Sequence, residues 1–272
     1  MSVGEHIRTA LEGGVQTVTL ARPEARNAMS RAMIEELLAA LREAEASDDV
    51  RVLVLRGEGG HFCAGGDIKD MAKARMAPAE LSGAQVDADP VAALNAMFGR
   101  IALAWARTPL PTVAVLEGAV MGGGFGVACT ADVAIATTTA DFRLPETSLG
   151  VIPAQIAPFL IERLGYSEAK RLAVTGARLD AAAALKVGLV HHVCEPDALE
   201  DVLGGTLRQI LRCAPKATAE TKRLLHTLYE GVTEAQIDHA ARAFSEAARG
   251  DEAAEGMSAF IAKRKPSWAP TE

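Results

Sequence analysis

Glu117-Gly118-Ala119-Val120-Met121-Gly122-Gly123-Gly124-Phe125-Gly126-Val127 follows directly on the apolar run Thr112 to Leu116. The run reads as a buried strand, the residues after it as a turn, and the glycine cluster as the opening of a short helix through Val127, Ala128 and Cys129. Glycines carry no Cβ, so the backbone turns sharply and another group can come close to bare N–H groups. At a helix start those N–H groups have no partner inside the helix and sit at the positive end of its dipole. The stretch is either an anion or oxyanion site or a cluster that only lets helices pack closely. Taken alone it does not choose between the two.

Toward the N-terminus, Val50 to Leu55 is another strand, and its continuous Val52-Leu53-Val54-Leu55 run belongs to a sheet covered on both faces. It leads to a second glycine turn, Ala64-Gly65-Gly66. Farther back, Val15 to Leu20 alternates like a half-buried strand, and Met33, Ile34, Leu37, Leu38 and Leu41 fall at helical spacing within Ser30 to Glu45. Between the two glycine turns, Lys69 to Asp87 has no clean period and reads as loosely held helix and loop, a pocket wall. Asp89-Pro90 then starts a helix with Val91, Leu94, Phe98, Ile101 and Trp105 as its buried stripe.

Toward the C-terminus, Val133 to Ala136 and Phe142 to Leu144 are short strands, and the second delivers Pro145-Glu146. Leu189 to Val193 is the last strand. Beyond Pro196 only helices are expected, with Asp251 capping the last. The reading is an α/β core over residues 1–195 and a helical region over 196–272, too thin to form a large core of its own and so packed on the core or on another subunit.

A chain of 272 residues, 49% of them apolar, is long enough for a large core. The formal net charge of −7 disfavours nucleic acid as a partner. No run reaches the ~20 apolar residues of a membrane span, and Met1 to Ala10 has no apolar signal core, so a cytoplasmic protein without a membrane partner is expected. Cys63, Cys129, Cys194 and Cys213 form no CxxC pair and no metal-ligand spacing, so no metal is expected. Most read as core residues, with Cys63 also open to being a reactive thiol. Basic residues gather at Arg22 and Arg26, at Lys69, Lys73 and Arg75, and at Lys263, Arg264 and Lys265, where they either meet a polyanionic small ligand or are solvated surface charges.

Parallel strands tend to bring their ends to one edge, where ligands bind. Two glycine turns there would offer two backbone N–H donors to one carbonyl oxygen, with Glu146 nearby. A carboxylate is too weak a base to take a proton beside an unaided carbonyl. Fixed donors aimed at the developing oxyanion lower that barrier, each by about 2.7–4 kcal/mol. The set is the equipment for stabilising an enolate.

At this point the chain resembles the enoyl-CoA hydratase/isomerase (crotonase) family over nearly its whole length. The resemblance rests on ARPEARNAMS (21–30), HFCAGGDIKDM (61–71), VAVLEGAVMGGGFGVACTADVAIAT (113–137), FRLPETSLGVIP (142–153), GARLDAAAALKVGLVHHV (176–193) and FIAKRKPSW (260–268), in the family's order. It implies an α/β spiral of ββα units with a C-terminal helical trimerisation region, assembled as a homotrimer or as a hexamer of two trimers. It also implies an acyl-CoA thioester as substrate and no separate cofactor. By position, the resemblance assigns the oxyanion N–H groups to Gly66 and Gly123 and the catalytic carboxylate to Glu146. Contacts to coenzyme A fall at Arg26, Ala28, Ala64, Ile68 and Lys69, with Phe260 and Lys263 at the adenine and 3′-phosphate end, from this subunit or a neighbour.

One position departs from the family pattern. Hydratases carry a first glutamate three residues beyond the oxyanion glycine, and here that place is Gly126. A lone Glu146 suits a Δ3,Δ2-enoyl-CoA isomerase. On the other side, MGGGFG with FRLPETSLGVIPAQIAPFLIERLG looks most like bacterial hydratases of 3-methylglutaconyl-CoA or isohexenylglutaconyl-CoA, from leucine and terpene breakdown, and Gly126 would make room for the branch at C3. That hydratase is the preferred reading. A CoA-binding scaffold without catalysis is a further alternative, opposed by the intact Glu146. A dinucleotide site is disfavoured because GGGFG does not follow its strand directly. Met71, Met97 and Trp105 are candidates for an acyl pocket or for ordinary core, while His61 and the pair His191-His192 read as surface and edge polarity.

Overall fold

The computed structural model describes residues 2–78, 86–213, 215–228, 234–264 and 266. Its strands are β1 (Ser2–Val3), β2 (Ile7–Glu12), β3 (Val15–Leu20), β4 (Val52–Gly57), β5 (Thr112–Leu116), β6 (Ala119–Met121), β7 (Val133–Thr137), β8 (Asp141–Arg143), β9 (Arg178–Asp180) and β10 (His192–Cys194). Its helices are α1 (Arg31–Glu45), α2 (Ile68–Met76), α3 (Pro90–Arg107), α4 (Gly123–Thr130), α5 (Ala157–Thr175), α6 (Ala181–Lys186), α7 (Leu199–Leu211), α8 (Pro215–Leu228), α9 (Glu234–Arg249) and α10 (Asp251–Ile261).

The main sheet has the order β1-β2-β3-β4-β5-β7-β10, antiparallel from β1 to β3 and parallel from β3 onward. The unbroken apolar β4 run is explained by burial on both sides. Leu53 and Leu55 join the main core, while Val52 and Val54 meet Val113, Val115 and Ile135 beneath Leu199 and Leu203 of α7. Each such side chain contributes about 1.5–3 kcal/mol by leaving water. A second, smaller sheet runs β6-β8-β9. Single parallel bridges, Cys63 to Val120 and Met29 to Gly66, extend this layer beyond the named strands.

The helix starts follow side-chain chemistry. Ser30 Oγ accepts from Met33 N at the head of α1, and Asp89 Oδ1 accepts from Val91 N at 2.9 Å at the head of α3. The α3 cap is itself held by Ser245 and Arg249 of α9. Asp251, expected as a cap, is the first residue of α10 instead; Gly250 occupies the cap position and no side chain bonds there. Strand Leu189 to Val193 shifts to β10, and just before it His191 donates its N–H to Ala134 O and accepts at Nδ1 from Ala134 N. From Pro196 to Ile261 the described chain is helical, and it packs on its own core. Ile237 and Ala241 of α9 enter the main cluster, and Lys222 Nζ of α8 reaches Leu110 O and Asp132 Oδ2. No helix among the described residues is long and apolar enough to cross a membrane.

Candidate active site

The two glycine turns meet in the second sheet rather than at the edge of the main one. Cys63 N donates to Ala119 O and Met121 N to Cys63 O, both at 2.9 Å, and Phe62 N donates to Glu117 O at 2.8 Å. The turns then touch at Gly65 and Gly122, whose φ values of 99° and 51° are left-handed. A Cβ on Gly122 would stand 3.7 Å from Gly65 Cα, and one on Gly65 would stand 3.1 Å from Met121 O. Glycine is needed at both positions for backbone angle and for proximity. Just beyond each lies a predicted donor, Gly66 and Gly123. Gly66 is exposed, Gly123 opens α4, and neither N–H meets an acceptor among the described residues.

Glu146 is brought to the same place by β8. Gly122 N donates to Arg143 O at 3.1 Å, and three residues later Glu146 Oε1 lies 3.0 Å from where a Gly122 Cβ would be. The residue as a whole is partly exposed, yet Oε2 is shut off from solvent with no hydrogen-bond partner. Burial therefore pushes the carboxyl up to about 7, opposed only by its own backbone N–H. A group near neutrality can both take and return a proton.

The raised pKa also fixes a stability trend. The folded carboxyl binds its proton more tightly than the unfolded one, so its contribution is present below the unfolded value of 4.5 and is lost as pH rises to about 7. The expected result is that Glu146→Gln melts closer to wild type at pH 4 than at pH 8, where the variant gains. Scanning calorimetry at the two pH values checks this.

Gly126 departs from expectation. A Cβ there would fall 2.2 Å from Ile156 Cγ2 and 2.8 Å from Ile156 Cβ. The missing glutamate does not by itself open space at Gly126, because the buried Ile156 occupies it. Where a second carboxylate was expected, an apolar wall stands beside α4.

Arg26, Ala28, Ala64, Gly66, Ile68 and Lys69 are drawn together. Ala64 N donates to Arg26 O at 3.0 Å, Met29 N to Gly65 O at 2.8 Å and Asp67 N to Met29 O at 3.0 Å. Asn27, not singled out from sequence, holds this loop. Fully buried at φ 56°, it accepts from Arg22 N and donates through Nδ2 to Glu58 O and His61 O. Asparagine's tolerance of left-handed backbone was the available signal. Arg22 does not belong with the ligand cations, since it pairs with Asp67 at 2.8 Å and bonds Ala28 O. Likewise Arg264 pairs with Glu255, and Lys265 lies outside the described residues. Phe260 and Lys263 stand exposed at the end of α10.

Trp105 belongs to the core, beside an apolar cavity of about 10 Å³ shared with Met29, Cys63 and Gly124, far too small for a substrate. His61 is not mere surface polarity: its Nδ1 accepts from Ala119 N at 3.1 Å, tying one glycine turn to the other. Cys63 is fully enclosed, its thiol pushed up to about 12 by burial, so it is not a reactive nucleophile. A thiol reagent is expected to label exposed Cys213 in the native protein, and Cys63 and Cys129 only after unfolding, as read by mass spectrometry of peptides. No cluster of three or more His, Cys, Asp or Glu side chains able to hold a metal occurs among the described residues.

An α/β chain with paired N–H donors at two glycine turns and a buried carboxyl beside them has the layout of an enzyme that stabilises an oxyanion. Comparison with known proteins narrows this class. The profile of the family "Enoyl-CoA hydratase/isomerase" matches residues 10–271. Among solved structures, Pseudomonas aeruginosa AtuE is 51% identical with a TM-score of 0.78, covering 98% of this chain and 100% of its own. An enoyl-CoA hydratase/isomerase from Marinobacter aquaeolei is 49% identical with a TM-score of 0.80 over the same shares. The probable enoyl-CoA hydratase echA8 of Mycobacterium bovis is 32% identical over 255 residues, 93% of this chain and 94% of that protein. The chain belongs to the enoyl-CoA hydratase/isomerase family and has the crotonase fold.

Proposed function

We propose that this enzyme hydrates the 2,3 double bond of a 3-substituted glutaconyl-CoA thioester. The N–H groups of Gly66 and Gly123 hold the thioester oxygen as it becomes an enolate, and Glu146 serves as acid and base. Water oxygen bonds to C3 as the double bond opens, and a proton is delivered to C2. The observation that carries this reading is the meeting of two unpartnered N–H donors with one buried carboxyl at the Gly65–Gly122 contact.

Coenzyme A would lie along Arg26, Ala28, Ala64, Ile68 and Lys69, with Phe260 and Lys263 taking its adenine and 3′-phosphate. No cofactor beyond the CoA of the substrate is called for. The division at residue 195, a cytoplasmic setting and a homotrimer or a hexamer of two trimers belong to the same reading, the last checked by sedimentation.

A second reading is favoured by Ile156. Because an apolar side chain stands where a second carboxylate would help hold water, Glu146 alone could move a proton between C2 and C4, which is Δ3,Δ2-isomerisation. A panel of crotonyl-CoA, a 3-enoyl-CoA, 3-methylglutaconyl-CoA and isohexenylglutaconyl-CoA separates the readings. A glutaconyl thioester is expected to be turned over fastest. Faster turnover of crotonyl-CoA defeats the substrate class, and fastest turnover of the 3-enoyl-CoA installs the isomerase.

A further inference from the structure

We propose that Phe98 is a positioning residue that sets the spacing of the two oxyanion donors. Its ring, carried by α3, lies against both glycines at once. Phe98 Cζ is 3.1 Å from where a Cβ on Gly66 would be, and Phe98 Cδ1 is 3.1 Å from where a Cβ on Gly123 would be. Met29 Cε closes the same corner, 3.2 Å from the Gly123 position. The hydrogen bonds that join the two turns run from His61, Phe62 and Cys63 to Glu117, Ala119 and Met121, and none among the described residues links Gly66 to Gly123. The ring is thus the rigid body that both donor residues share.

The ring is itself held in place. One turn below it on α3, Asn95 Oδ1 accepts from Gln155 Nε2 at 3.0 Å, and the same nitrogen donates to Ile237 O of α9 at 3.0 Å. On the next residue, a Cβ at Gly99 would fall 2.1 Å from Gln155 Oε1, so the helix is pressed close to that side chain. At its head, α3 is fixed by Asp89 to Ser245 and Arg249. Gln155 precedes Ile156, the residue packed on Gly126 of α4, so one clamp ties the ring's helix to the segment that follows Glu146. Gly66, unlike Gly65, does not lie in the left-handed region. Its need for glycine comes from the ring and not from its backbone angle.

This inference rests on the assignment of the Gly66 and Gly123 N–H groups as oxyanion donors. A double-mutant cycle tests it, with wild type, Gly66→Ala, Phe98→Leu and Gly66→Ala/Phe98→Leu assayed on the best substrate of the panel. Gly66→Ala keeps its N–H but thrusts a methyl at the ring. The expected loss is at least about tenfold in kcat with KM little changed, since small displacements of a catalytic group are costly. Phe98→Leu lowers kcat on its own, and the double variant recovers activity over Gly66→Ala. The second readout is acetoacetyl-CoA, whose bound enolate absorbs in the near ultraviolet. Phe98→Leu weakens that band while leaving the Kd for butyryl-CoA unchanged, which a purely structural role would not do.

Phe98→Met serves in place of Leu should the latter fail to fold. The proposal is overturned if the Phe98 variant retains wild-type kcat and enolate band, or if the Gly66→Ala loss persists undiminished in the double variant. Glu146→Gln assayed alongside separates the levels. Silence there with a flat Phe98 cycle overturns this proposal alone, whereas retained turnover in Glu146→Gln overturns it together with the reading of the site.

Discussion

Replacing Glu146 by Gln is expected to lower turnover by about 10²–10⁴-fold while leaving the affinity for an acyl-CoA thioester near that of wild type. The glutamine keeps the shape of the side chain against the Gly122 turn, so neither the glycine contact nor the orphaned Oε2 position is opened. What it removes is the exchangeable proton at a group that burial has raised to about 7. The next carboxylate expected by position is Gly126, and Ile156 stands there instead. On the proposed reading the Gly66 and Gly123 N–H groups would still hold the thioester oxygen, so binding is expected to survive as chemistry stops. Retention of most activity in the variant, measured as kcat on the best thioester, would sink the assignment.

The largest effect on stability is expected at Gly126. Glu there, restoring the residue typical of hydratases, would force its Cβ into Ile156 and leave an ionisable group among buried side chains. Overpacking costs about 1–3 kcal/mol and an unpaired buried polar group about as much again, so a loss of at least ~2 kcal/mol in urea unfolding follows. Ile156→Ala alone also costs about 2–5 kcal/mol as a cavity mutation. Combined, the two substitutions should cost clearly less than their sum, because each relieves the other. Additive losses would show that the two side chains do not share the space.

The course of the chain was legible wherever local chemistry and periodicity agree. The buried strand Thr112–Leu116, the helix begun by Asp89-Pro90 and the α4 start at the glycine cluster all stand where the sequence put them. Strand β2, with mostly exposed residues in an antiparallel ladder, carried no apolar pattern to read, and β9 is only three residues long. Asp251 was misplaced by one position because acidic residues suit both the cap and the first turn.

At the site, residue types pointed to the two glycine turns and to Glu146, and the family resemblance to Gly66 and Gly123 within those turns, but their meeting depends on Gly65 against Gly122, a contact between segments far apart in the chain. Long-range packing also decided Gly126, whose empty side chain looked like space for substrate until Ile156, thirty residues on, was seen to fill it. Arg22 looked like a cation for a ligand because its partner Asp67 lies 45 residues away in sequence. In each case the missing information was which distant segment arrives.

The most direct test of Glu146 as the single acid and base is proton delivery itself. In D₂O, with the best enoyl-CoA thioester of the panel, mass spectrometry of the product should show deuterium placed at C2 at the rate of turnover by the wild-type enzyme. Glu146→Gln should place none on that timescale. Deuterium at C2 appearing as fast with Glu146→Gln as with wild type would contradict the account.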